Sequence, residues 1–130
     1  MRVARDCGMV VSVHSDYTEK MRAFIENCGD VTVVGAHPSE WNNLFAQIEF
    51  LKQYPNYMID ISATGITRFG MVKKLIDEAC SERILFGSDF PVCDPAVFIA
   101  GVENAPFVSE EDKENIFNRN AKRILLGEKK

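Results

Sequence analysis

Four short runs of strand-forming residues, each followed by a stretch with helical periodicity, constrain this chain more than any other feature. The runs begin near Met9, Val31, Tyr57 and Arg83, so successive spacings are 22, 26 and 26 residues. A strand, a loop and a helix fill such a spacing, and repeated βα units imply parallel strands joined by right-handed crossovers. The expected class is therefore α/β, with four parallel βα units and a terminal helix.

Taken in order, Met1 to Cys7 has the pattern of the last turns of a helix, and Gly8 is placed to end it. Met9-Val10-Val11-Ser12-Val13 stops at His14-Ser15-Asp16. Asp16 and Glu19 have capping-box spacing, and Tyr17, Met21, Phe24, Ile25 and Cys28 share one helical face up to Gly29. Val31 to Ala36 stops at His37-Pro38-Ser39. Ser39 is the expected cap of a helix with Trp41, Leu44, Phe45, Ile48 and Leu51 on its apolar face, closed by Tyr54-Pro55-Asn56. Trp41 reads as core rather than as a substrate platform. Tyr57 to Ile61 ends at Ser62, and its helix carries Met71, Val72, Leu75, Ile76 and Ala79. Arg83 to Phe86 runs into Gly87-Ser88-Asp89-Phe90-Pro91, after which Asp94-Pro95 and Ala105-Pro106 predict irregular chain. Ser109, with Asp112 at the box position, caps a last helix bearing Ile116, Phe117, Ala121, Ile124 and Leu125. Gly127 ends it, and Glu128-Lys129-Lys130 is expected to fray.

The 130 residues suit a single domain, 1–130, with a genuine core. With 46% hydrophobic and 26% charged residues the chain reads as globular rather than disordered. A net charge of −4 without a basic stripe gives no electrostatic reason to expect nucleic acid or anionic membrane as partner. No apolar run approaches the ~20 residues of a membrane span, and Met1 to Asp6 lacks the apolar core of a signal peptide, so a cytoplasmic location is expected. Cys7, Cys28, Cys80 and Cys93 form no CxxC pair and are expected to be buried or reduced thiols.

The four strands end in His14, His37, Ser62 and Asp89, so the loops that follow emerge at one end of a parallel sheet, where such folds place their chemistry. His14 and His37 are the chain's two histidines. Imidazole and carboxylate are natural ligands of zinc, manganese or iron, and such an ion lowers the pKa of its bound water. The competing reading makes each histidine a loop hydrogen-bonder and Asp89 a turn or helix cap. Recurrence at equivalent positions of repeated units weighs toward a site. Arg68 can meet a substrate carboxylate, although an exposed surface role is favoured. Asp60, inside an apolar strand, is expected either to orient an imidazole or to lie at a sheet edge. No GxGxxG, Walker loop or GxSxG is present.

On these residues the chain resembles the carboxyl-terminal half of the amidohydrolase superfamily, in particular the amidohydrolase-related metal-dependent hydrolases. Val11-Ser12-Val13-His14 matches the family's fifth barrel strand and Val33-Val34-Gly35-Ala36-His37 its sixth. Tyr57 to Ser62 matches the seventh and Ile84 to Pro91 the eighth. Ser109-Glu110-Glu111-Asp112-Lys113, Ile116 and Asn120-Ala121-Lys122-Arg123-Ile124-Leu125 match the terminal helix. The resemblance implies the second half of a (β/α)8 TIM-type barrel and a small-molecule substrate, an amide, ester or lactone cleaved by activated water. It implies His14 as metal ligand, His37 as ligand or polarising donor, and Asp89 as ligand and base, around a divalent metal: zinc, with manganese or iron as alternatives. Some relatives decarboxylate aromatic acids. Related barrel nucleases cleave phosphodiesters, but carry Thr-Asp where this chain has Gly-Ser-Asp.

The family's first-strand His-x-His pair and fourth-strand ligand have no counterpart here, because a complete barrel takes ~250 residues. A metal would have fewer protein ligands than the family uses, so a catalytically silent fragment or subunit is the alternative expectation. An apolar inner face and two bare strand edges are expected to meet water, which predicts a homo-oligomer that covers the open half-barrel.

Overall fold

The computed structural model describes residues 1–15 and 18–127. The expected roles of Asp16 and Tyr17 and of the tail from Glu128 lie outside them. Four strands, β1 (Val11–Val13), β2 (Val33–Gly35), β3 (Tyr57–Asp60) and β4 (Ile84–Leu85), form one sheet in the order β1-β2-β3-β4, with every neighbouring pair parallel. An order that follows the chain without reversal suits a section of barrel wall rather than a doubly wound sheet. Each strand is one to three residues shorter than its apolar run.

Helix α1 (Arg2–Asp6) precedes the sheet, and α2 (Thr18–Cys28), α3 (Trp41–Gln53) and α4 (Met71–Ala79) make the crossovers. One sheet face, carrying Val33, Tyr57, Ile59 and Ile84, packs with Met21, Ile25, Leu44, Ile48, Leu51, Met71 and Leu75 in the main core. Gly35 makes this packing possible. A Cβ there would overlap the hydroxyl of Tyr57, which lies across β2 and donates to Gln47 Oε1. Burial pushes the Tyr57 hydroxyl pKa up.

Several expectations are corrected. The N-cap of α3 is Glu40, not Ser39, because Ser39 takes a left-handed φ of 59° and does not bond into the helix. Trp41 is 38% exposed and Phe45 is exposed; Gln47 and Phe50 take the buried positions instead, so the apolar face of α3 is rotated from the one expected. The segment after Pro91 is not irregular: Asp94 accepts a hydrogen bond from the Ala96 N–H and caps α5 (Pro95–Glu103), with Pro95 at the first helical position. All four cysteines are free, but Cys28 alone is core, while Cys7 and Cys80 are exposed.

The carboxyl-terminal segment starts as expected, with a reciprocal capping box between Ser109 and Asp112 at the head of α6 (Glu110–Glu114). It then widens into a π-helical stretch over Asn115–Arg119 before α7 (Asn120–Leu126). Within that stretch the Ile116 carbonyl accepts the Phe86 N–H, and at the start of α7 Asn120 donates to the carbonyls of Ser81 and Ile84, both at 2.7 Å. The terminal segment therefore occupies the outer edge of β4, which was expected to be bare. The opposite sheet face is not open either. Its residues Val34, Met58 and Leu85 are 6%, 3% and 8% exposed, packed by Val10 and by Ala121 and Ile124 of α7.

Candidate functional site

The loops leaving the four strands cluster at the carboxyl end of the sheet, as parallel pairing in register requires. His14 follows β1 and is exposed; His37 follows β2 and is half-buried. Their rings meet edge to face, with centroids 4.5 Å apart and planes inclined by 68°. The two histidines are thus brought together by adjacent strands, although 23 residues separate them in sequence. His37 has a left-handed backbone with φ 43°, and Ser39 Oγ lies 3.5 Å from its Nδ1.

Asp60 ends β3, between β2 and β4, so it is not at a sheet edge. Its Oδ1 accepts the main-chain N–H of His37 at 3.0 Å, the N–H of Ser62 at 2.9 Å and the Ser62 hydroxyl. The expected imidazole contact is replaced by a contact to the backbone that carries the imidazole. Gly87, leaving β4, packs against this carboxylate: a Cβ there would stand 3.1 Å from Asp60 Cγ and 3.2 Å from Ser62 Cβ. The signals for this linkage were an acid inside an apolar strand and a glycine two residues before Asp89.

Asp89 stands at the exit of β4, exposed, with φ 68°, and its carbonyl accepts the N–H groups of Val92 at 2.8 Å and Cys93 at 3.1 Å around a cis Phe90–Pro91 bond. Arg68, in the loop after β3, is paired with Glu40: Nη2 donates to Oε1 at 2.6 Å and Nε to Oε2 at 3.3 Å. That pairing holds the Glu40 carboxyl below its ordinary range. A substrate carboxylate would have to compete with Glu40 for the same fork.

Among the described residues no three His, Cys, Asp or Glu side chains converge as a bound metal ion would require. Zinc sites use three or four protein ligands, and catalytic ones keep a further position open for water. The His14–His37 pair supplies two nitrogen donors at most, so the donor set does not fit a catalytic metal. What the pair can do is bind or orient a small polar group and exchange a proton with it. No described helix is long and apolar enough to cross a membrane.

A family model described as Amidohydrolase matches residues 1–126. No curated protein matches the chain. Among solved structures, Amidohydrolase 2 from Bifidobacterium longum subsp. infantis is similar with a TM-score of 0.71 at 20% identity, over 95% of this chain and 52% of its own. The putative 2-pyrone-4,6-dicarboxylic acid hydrolase from Pseudomonas putida is similar with a TM-score of 0.66 at 18% identity, over 96% of this chain and 54% of its own. The chain spans about half the length of each. At such identities the likeness is one of fold, and the alternating parallel βα units are consistent with part of a (β/α) barrel.

Proposed function

The chain belongs to the amidohydrolase family, and from that premise we propose that by itself it is a catalytically silent part of a hydrolase barrel. In this reading it is the carboxyl-terminal half, β1 to β4 standing for the fifth to eighth strands, and it keeps two imidazoles of the site without the donors that complete it. One observation carries the reading: the strands bring His14 and His37 into contact, yet no third metal-ligating side chain joins them among the described residues. The test is metal per chain by elemental mass spectrometry after reconstitution with zinc, manganese or iron, together with turnover of an aryl ester and a lactone. The expected outcome is metal well below one per chain and no hydrolysis. Near-stoichiometric metal that disappears in both His14→Ala and Asp89→Ala, with turnover, would overturn the proposal.

A second reading is favoured by the place of β1 at the end of the sheet, where among the described residues β2 is its one strand neighbour. Here a second copy completes the wall, and the assembly acts on a small amide, ester or lactone, with His14, His37 and Asp89 as ligands and Asp89 as base. The terminal segment on β4 and the packing of α7 on the inner face oppose it, because both would have to move. Light scattering separates the readings: a monomer at micromolar concentration excludes the completed wall, and a dimer that gains metal supports it.

A further inference from the structure

We propose that Asp60 is a positioning residue: by bonding the main chain of His37 it sets where the His37 ring stands against His14. One carboxylate oxygen takes the His37 N–H, the Ser62 N–H and the Ser62 hydroxyl, so the exits of β2 and β3 are tied at a single atom. His37 is held at φ 43°, a conformation whose steric cost for a non-glycine residue has to be offset by contacts that fix it. The bond from its N–H to Asp60 is such a fixing contact, and it decides the direction of Cα–Cβ and hence of the ring. The ring's own polar neighbour, Ser39 Oγ, is at 3.5 Å, the outer limit of a hydrogen bond, and Ser39 itself has a left-handed φ. The third exit is shaped to the same carboxylate, because Gly87 leaves room where any Cβ would press on Asp60 Cγ. Asp60 is thus joined to β2 by a bond and to β4 by close packing; the preceding residue is held by its own bond, Ala36 N–H to the Val13 carbonyl at 2.8 Å, so the Asp60 contact acts on the turn at His37 itself.

The inference rests on reading these exits as the surviving part of a family site, but its test needs neither metal nor turnover. With two histidines in the chain, the imidazole C–H region of a proton spectrum holds two ring systems, assigned with His14→Ala and His37→Ala. Rings with centroids 4.5 Å apart give an inter-ring nuclear Overhauser cross-peak, whose intensity falls steeply with separation. The wild type is expected to show it, Asp60→Asn to keep it because an amide oxygen can accept the same bonds, and Asp60→Ala to lose it while the amide spectrum stays dispersed. Gly87→Ala, which crowds the carboxylate without removing a donor, is expected to weaken it at least twofold. Asn120→Ala, which loosens the far end of the sheet, is expected to leave it unchanged, so general destabilisation is told apart from positioning. An undiminished cross-peak in folded Asp60→Ala overturns the inference, as does its absence from the wild type. Should Asp60→Ala not fold, an undiminished cross-peak in Gly87→Ala overturns it instead. Stoichiometric metal and turnover would defeat catalytic silence and leave the role of Asp60 standing.

Discussion

At the amino-terminal ends of the strands, side chains donate to main-chain carbonyls across the sheet: Asn56 to Gly29 and Val31, Arg83 to Tyr54 and Tyr57, Asn120 to Ser81 and Ile84, and Arg123 to Glu82. At the carboxyl ends, His37, Ser39, Ala63 and Asp89 all take positive φ without being glycine, and bonds from the exits of β2 and β3 converge on Asp60. One end satisfies main-chain carbonyls with side-chain donors and, among the described residues, has one non-glycine residue of positive φ, Cys80; the other gathers four such residues, in conformations that cost free energy. Barrels separate stability and chemistry in this way, the amino end serving the fold and the carboxyl end the site. The carboxyl end here keeps that strained geometry although its donor set does not fit a catalytic metal.

The largest effect is expected from Asn120→Ala. The Ser81 and Ile84 carbonyls stay buried and lose their donor, so urea denaturation should show a loss of about 2–4 kcal/mol. A loss below ~1 kcal/mol would break the contrast between the ends. Ile124→Ala comes next. It uncovers Val34, Met58 and Leu85 and should cost about 1–2 kcal/mol, less than a fully buried isoleucine, with increased self-association in light scattering. A molecular mass unchanged from the wild type would mean that α7 does not protect the inner face. Asp89→Gly should change stability in the opposite sense, raising it by about 0.5–1 kcal/mol, because glycine takes φ 68° without the steric cost. A destabilised Asp89→Gly would show that the carboxylate itself holds its loop.

The repeating framework was legible because it rests on local pattern: apolar runs, helical periodicity, the Ser109–Asp112 box and Gly127 all stand where the sequence predicts them. So were His14 and His37 as neighbours, since parallel strands in register bring their exits together. Elements that depend on distant partners were not legible. Asn120 reads as an ordinary helix residue until its amide is seen to reach Ser81, 39 residues away, and the π-helical widening at Asn115–Arg119 follows from fitting the Ile116 carbonyl to Phe86. Asp60 stands out as an acid inside an apolar strand, but its partner is a main-chain N–H, which no side-chain motif encodes. Arg68 also depends on a distant partner, the side chain of Glu40, 28 residues away.

The smallest effect separates both ends of the sheet from its flank. Glu78 on α4 accepts hydrogen bonds from Lys52 of α3 at 2.8 Å and Lys74 at 2.7 Å, and these lysines, Lys52 foremost, hold its carboxyl down at about 2 against an ordinary 4.5. A carboxyl whose pKa is lower in the folded than in the unfolded chain binds its proton more weakly when folded. Its contribution is therefore complete above about pH 4.5 and disappears as pH falls toward 2. Because the groups are solvated, salt should shrink the effect, and it should stay well below that of Asn120→Ala. Glu78→Gln is expected to flatten the fall of thermal midpoint between pH 4.5 and 2, most clearly at low ionic strength, without touching the His14–His37 cross-peak. If the acid limb is the same with and without the carboxylate, the α3–α4 pair contributes nothing measurable, and whatever acid sensitivity the protein has must come from other groups.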